Sequence, residues 1–236
     1  MTRLIVGSGR LTGGVLPLTA GELHYLRRVR RLRDGALIDV CDGQGARCDG
    51  VLQGADLELS SVESLPMPAG PPVELWFAPP KGDRLDWLLE KATELGAAVL
   101  RPVLCERSVR APSADAVERW ERIVQAASRQ CGCAWEPIVL APVPLNVSLA
   151  DRVVEPTDLG LVLAVGGPPL RQVLPTEAPT RLRVLTGPEG GLTDGEVAAA
   201  ERAGFARCGL GPTILRAETA PLTVLALLRH RFGDLG

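Results

Sequence analysis

The stretch RVLTGPEGGLTDGEV, residues 183–197, begins as an apolar run, breaks into Gly187-Pro188-Glu189-Gly190-Gly191 and resumes with a helical pattern. Glycine lets another group approach the main chain closely, while proline fixes its own backbone and removes a donor. A turn built this way is rigid and free of bulk, so it suits a flat ring laid against backbone amides and carbonyls. Two further stretches share the composition, AVGGPP at 164–169 and LGPTILRAETA at 210–220. There is no GxGxxG after the first strand and no GxxxxGK(S/T), so a dinucleotide or polyphosphate grip is not indicated. Part of the first stretch is structural in any case, because Thr193 and Glu196 have the spacing of a capping box.

A second stretch with chemistry in it is RRVRRLR, which places Arg27, Arg28, Arg30, Arg31 and Arg33 within seven positions. Forked guanidinium donors suit phosphate, and so dense a cluster on a chain of formal net charge −2 points to RNA contact. Val29 and Leu32, interleaved with the arginines, are expected to face the core. Lys81, Arg84, Arg107 and Arg110 fall near the starts or ends of later strands and are expected to extend the same surface. The six cysteines, at 41, 48, 105, 131, 133 and 208, form no CxxC pair and have only two histidines to assist them. Neither a zinc site nor a disulfide scaffold is suggested, and reduced structural thiols are expected, with CGC at 131–133 the one close pair.

These residues need elements to position them. PMPAGPP, Pro66–Pro72, interrupts two regions of different periodicity and places a domain boundary there, giving domains over 1–70 and 73–236. Before it, ALIDVCDGQGARCDGVL alternates apolar and polar residues around DGQG, the pattern of strands joined by a tight turn, with one short helix at GELHYLRRVRRLRDG. After it, VELWFAPP reads as a strand and RLDWLLEKATELG as a helix with Leu85, Leu88, Leu89, Ala92 and Leu95 on one face. AAVLRPVLC is the next strand, and a helix follows with Val117, Trp120, Ile123, Val124 and Ala127 together. LGLVLAVGG and RLRVLTGP are further strands, a helix starts at Thr193, and APLTVLALLRHRF closes the chain as a helix. Strands alternating with helices imply a mostly parallel sheet covered on both faces, whose carboxyl-end loops are where ligands bind.

The chain has 236 residues, 46% of them hydrophobic and 23% charged, which is enough for one large domain or two unequal ones. The small net charge excludes a bulk polycation, so any basic surface is local. Arg3 is followed by only LIV before Gly7, too short for a signal-peptide core, and no apolar run approaches membrane-spanning length; a soluble, cytoplasmic protein is expected.

In order along the chain stand HYLRRVRRLRDG, DGQG, RLDWLLEKATELG, PVLCERSV, QCG, GPEGGLTDGE, LGPTILRAETA and RFGDLG. This conjunction resembles the RsmE family, the ribosomal RNA uridine-N3 methyltransferases of the SPOUT superfamily, over nearly the whole chain. The resemblance implies an α/β fold in two parts, a small N-terminal PUA-like β-barrel for RNA contact and a C-terminal SPOUT domain with a deep trefoil knot. It also implies a homodimer that uses S-adenosyl-L-methionine to methylate N3 of one uridine (1498 in standard rRNA numbering) in 16S ribosomal RNA of the small subunit. Carried over by position, the cofactor would lie against Leu163 and Ala164, against Thr186, Gly187, Pro188, Glu189, Gly190 and Gly191, and against Leu210, Gly211, Ile214, Leu215 and Ala220.

A uridine imide nitrogen must lose its proton before it attacks a methyl group, which calls for a base or a stabilised anion. Arg216 and Glu218 in LRAET are the charged residues closest to the cofactor loops. Arg216 is expected to stabilise charge on the uracil oxygens, with Glu218 orienting Arg216 or taking the proton. An Arg–Glu pair that only ties down the knot is the structural alternative. Three positions depart from the family pattern: Thr213 stands where arginine is common, and Arg129 and Cys133 stand where glutamate and arginine are usual. Two other functions fit the same residues, a methyltransferase of this fold with another RNA target and a noncatalytic RNA-binding or ribosome assembly factor.

Overall fold

The computed structural model describes residues 1–108, 112–113, 115–151 and 154–236. They form two compact units, one made of Met1–Met67 with Gln125–Glu136 and the other of Pro68–Val124 with Pro137–Gly236.

The first unit contains β1 (Thr2–Ile5), β2 (Gly14–Pro17), α1 (Ala20–His24), β3 (Leu37–Cys41), β4 (Ala46–Gln53), β5 (Asp56–Leu59) and β6 (Glu63–Ser64). Its sheet runs β1-β3-β4-β5-β2, with β6 paired to β4; β1 is parallel to β3 and the other pairs are antiparallel. Leu4 and Leu16, from the strands at opposite ends of that order, enter one core with Leu26, Ile38, Val40, Leu52 and Leu57, so the sheet wraps around it. Asp39 is buried between Arg3, at 2.5 Å, and Arg47, at 2.7 Å. α1 opens with a Thr19–Glu22 capping box and passes directly into a π-helical turn, Tyr25–Val29. That wider turn rotates the register expected of a regular helix. Leu26 is therefore the buried residue and Val29 is 60% exposed, which corrects the expectation that Val29 faces the core, while Leu32 packs partly against it.

Residues 125–136 join this unit because the segment after a later helix pairs with the β3–β4 turn. Gly45 donates its amide to Ala134 O at 3.0 Å, and Glu136 donates to Gly43 O at 2.8 Å. The Trp135 indole lies where a Cβ on Gly45 would be, 2.3 Å from the ring, and its Nε1 donates to Pro66 O at 2.9 Å.

The second unit contains β7 (Val73–Phe77), α2 (Asp83–Glu94), β8 (Val99–Leu104), α3 (Ala116–Cys131, its last turns counted with the first unit), β9 (Ile138–Val139), β10 (Val143–Pro144) and α4 (Leu145–Asp151). β11 (Leu159–Leu163), α5 (Leu170–Val173), β12 (Leu182–Thr186), α6 (Asp194–Arg202), β13 (Phe205–Cys208) and α7 (Thr219–Phe232) follow. The sheet order is β10-β8-β7-β12-β11-β13, with β9 beside β8, and every pair is parallel. Period-two alternation splits the strands between two cores. Val73, Leu75 and Phe77 face α2, α3 and α7, whereas Trp76 turns to the opposite face with Leu185, Phe205, α4 and α6. Arg101 and Arg183 are also buried, Arg101 bonded to Glu74 at 2.5 Å and stacked on Trp76, and Arg183 bonded to Asp158 at 3.1 Å.

β12, β11 and β13 are adjacent, so their carboxyl ends release three loops side by side. Main-chain bonds stitch two of them: Ala164 donates to Cys208 O at 2.9 Å, Gly209 to Pro168 O at 2.8 Å and Leu170 to Gly209 O at 3.1 Å. A Cβ on Gly209 would stand 2.8 Å from Gly167 O, and one on Gly167 would stand 2.8 Å from the Cys208 carbonyl carbon. At these two positions glycine is required by close approach.

Two outcomes follow. Gly209→Ala should lower unfolding stability by about 1–3 kcal/mol through overpacking. Gly195→Ala, on α6 with its nearest neighbour 3.8 Å from the new Cβ, should raise it by about 0.4–1 kcal/mol in the same denaturation assay. Burial pushes the Cys41 thiol up to about 11 and those of Cys105 and Cys208 up to about 12. At about pH 8 a thiol reagent should label exposed Cys131 first and reach these three only on unfolding.

Candidate active site

The three loops enclose a cavity of about 580 Å³ whose wall takes in Leu163, Ala164, Thr186 to Leu192, Cys208 to Ala217 and Ala220. Every residue expected to contact a cofactor lies on this wall. Each loop contributes one lining glycine with a left-handed backbone: Gly166 at φ +74°, Gly191 at +71° and Gly211 at +127°. A Cβ at any of these would meet nothing within 4 Å, so all three backbones border open space. Val165 and Ile214, 74% and 80% exposed, leave apolar surface uncovered on the same wall. The size and mixed lining are those of a small-molecule site.

The loop exiting β8 clamps this wall. Arg107 Nη1 donates to Gly190 O at 2.8 Å, and its side-chain stem comes within 3.4 Å of where a Cβ on Gly190 would stand. Glu196, reciprocally bonded to Thr193 at the start of α6, also accepts from the Glu106 amide at 2.8 Å. The capping box read from sequence thus also holds a neighbouring loop.

Arg216 is exposed on the cavity wall and, among the described residues, makes no ion pair or side-chain hydrogen bond. Glu218 sits behind the wall, buried, with Oε1 3.7 Å from Arg84 Nε and Oε2 without a hydrogen-bond partner among the described residues. The carboxylate therefore faces Arg84, which itself lines the cavity, and the expected orientation of Arg216 by Glu218 is not the arrangement found. The reason is local: Arg216 O accepts the amides of Thr219 and Ala220, a turn that leaves Arg216 outside as Glu218 enters the helix start.

Of the basic residues assigned to RNA, Arg84 and Arg107 line the cavity, and Lys81 is exposed just before α2. Arg28, Arg31 and Arg33 are exposed in the first unit, and Arg30 is exposed with Nη2 3.5 Å from Thr2 Oγ1. Arg27 instead binds internally, to Asp34, Gly54 O at 2.7 Å and Leu32 O at 3.2 Å, and so holds the Asp34 carboxyl below its usual range. Arg110 lies outside the described residues. Arg129 stacks over the Tyr25 ring at 5.1 Å, the Cys133 thiol donates to Trp135 O at 2.8 Å, and Thr213 lines the cavity. Sequence reasoning missed Arg207 and Asp194 on the cavity wall. Arg207 lies on β13, a strand too short to be delimited by its alternation, and Asp194 directly follows the Thr193 cap, whose spacing to Glu196 marks a helix start and not a site.

No group of three or more His, Cys, Asp or Glu among the described residues is placed to hold a metal ion, and no helix among them is long and apolar enough to cross a membrane.

Family models match twice, an RNA methyltransferase domain over residues 68–229 and an RNA methyltransferase PUA domain over 18–61. The ribosomal RNA small subunit methyltransferase E of Synechocystis sp. is 37% identical over 95% of this chain and 76% of its own length. That of Bacillus subtilis is 32% identical over 91% of this chain and 89% of its own. The crystal structure of the Neisseria gonorrhoeae ribosomal RNA small subunit methyltransferase E bound to S-adenosyl methionine is 28% identical, covers 100% of both chains and superposes with a TM-score of 0.91. With the methyltransferase domain and the PUA domain both matched and these relatives aligned over most of its length, the chain belongs to the ribosomal RNA small subunit methyltransferase E family.

Proposed function

We propose that the cavity binds S-adenosyl-L-methionine and that the protein methylates N3 of one uridine in 16S ribosomal RNA. The observation that carries this is the cradle of three positive-φ glycines, one per loop, bordering open space in a cavity of about 580 Å³. Side chains at those positions would occupy the volume a flat base and a bent chain need. Membership in the family and the cofactor in the Neisseria relative's structure support the same assignment.

When bound, the cofactor supplies a methyl group on a positively charged sulfur. The residues of this chain do the rest. Leu163, Ala164, Leu210, Leu215 and Ala220 offer apolar contact, and the main chain of Thr186 to Gly191 offers fixed amides and carbonyls. Arg216, a cation without an ion-pair partner among the described residues, stabilises the negative charge on a uracil carbonyl oxygen as the N3 proton leaves. Glu218 acts at one remove: from behind the wall it faces the Arg84 guanidinium, which lines the cavity. Holding two reactants in line removes much of the entropic barrier, which a rigid, stitched wall is suited to do.

The stitched loops, in which 164–170 and 208–209 bond across one another, are read as crossing segments of a trefoil knot. The protein is further inferred to work as a homodimer in the cytoplasm on the small ribosomal subunit. Arg28, Arg30, Arg31 and Arg33 would meet RNA phosphate from the PUA-like unit, with Lys81, Arg84, Arg107 and Arg110 adding to the catalytic unit.

Mass-spectrometric mapping of 3-methyluridine in 16S ribosomal RNA tests the assignment in cells lacking the gene and complemented with wild type or Arg216→Ala. One modified uridine should disappear and return only with wild type. With purified protein, Arg216→Ala should lower the methylation rate by about 10²–10³-fold while S-adenosyl-L-methionine still binds. An unchanged modification map would overturn the substrate assignment.

A further inference from the structure

Four arginines, Arg84, Arg107, Arg207 and Arg216, line the cavity against two carboxylates, Glu189 and Asp194, on a chain whose formal net charge is −2. Their circumstances differ. Arg84 faces Glu218, and Arg107 is spent on the Gly190 carbonyl. Arg207 and Arg216 make no ion pair or side-chain hydrogen bond among the described residues, and both are exposed. They stand toward the two ends of the third loop, Arg207 next to last in β13 before it and Arg216 three residues ahead of α7. β13 is the terminal strand of the sheet, so no further strand covers Arg207, which is in register with buried Val162 on β11.

Two like charges bordering one cavity repel each other, and a low-dielectric wall focuses their field toward an anion. Both arginines line the cavity wall and are exposed to solvent. An anion held between them belongs to something that continues outside, as a phosphodiester chain does. Paired guanidinium forks also suit phosphate geometry.

We propose that Arg207 and Arg216 form a phosphodiester subsite that takes the RNA backbone phosphate beside the nucleotide being methylated. This rests on the reading of the cavity as a methyltransferase site. It assigns Arg207 a role in holding substrate and gives Arg216 a second duty. The same cations would also suit a carboxylate on the cofactor, and the test separates the two anions.

The affinity of a fluorescent single-stranded oligoribonucleotide is measured between about 50 and 200 mM salt. Binding of S-adenosyl-L-methionine is measured in parallel by calorimetry. Arg207→Gln should weaken RNA binding and reduce the slope of log affinity against log salt by about 0.7, the share of one single-strand phosphate. Arg207→Lys should retain the slope, and both variants should keep wild-type cofactor affinity and melting temperature. An unchanged slope in Arg207→Gln, with cofactor binding intact, overturns the subsite and leaves the methyltransferase reading standing. Weakened cofactor binding in Arg207→Gln overturns it in favour of the cofactor carboxylate. Failure of the wild-type protein to bind S-adenosyl-L-methionine removes the underlying reading itself.

Discussion

Where the chain leaves β13, the backbone of Gly209 runs against that of Gly167, and a methyl group on either would lie 2.8 Å from main-chain atoms of the other segment. Overpacking of that kind is costly in a close-packed interior. The bonds from Gly209 to Pro168 O and from Leu170 to Gly209 O fix the crossing, and the third loop can be no nearer or farther than they allow. The site depends on this contact, because the cavity is the space left over once these segments are locked.

The lock works because three parallel strands, β12, β11 and β13, stand next to one another and release their loops from the same end. Parallel neighbours require crossovers, and here the crossovers carry α5 and α6. The second loop is held from outside as well, since the exit of β8 donates Arg107 to Gly190 and the Glu106 amide to Glu196. Rigidity on both sides gives a wall that needs little reorganisation when reactants arrive. The charges differ in their partners: the interior arginines, Arg101 and Arg183, are neutralised by Glu74 and Asp158, whereas Arg207 and Arg216, on the cavity wall, make no ion pair among the described residues.

Much of this was legible in the residues. The leucines of α2, the face of α3, the capping box at Thr193 and the three glycine loops all follow local rules, and the structure places them as those rules require. What escaped notice depends on contacts distant in sequence. Trp135 docks over Gly45, 90 positions away, and no periodicity announces it. Val29 turns outward because α1 widens into a π-helical turn, a choice of hydrogen bonds with no compositional mark. Glu218 turns to Arg84 because the chain bends at Arg216, although Arg216 is the nearer charge in sequence. Arg207 looks like an ordinary surface residue until the sheet order brings it to the cavity.

The central claim is that backbone from three adjacent loops, two of them bonded to each other, rather than a set of side chains, forms the proposed cofactor enclosure. A crystal structure of the protein soaked with S-adenosylhomocysteine tests it most directly. The account predicts ligand density between residues 163–166, 186–192 and 209–215, with Gly166, Gly191 and Gly211 against the ligand and the loop crossing unchanged. Density elsewhere, or a ligand that binds only after the contact between Gly167 and Gly209 opens, would contradict it.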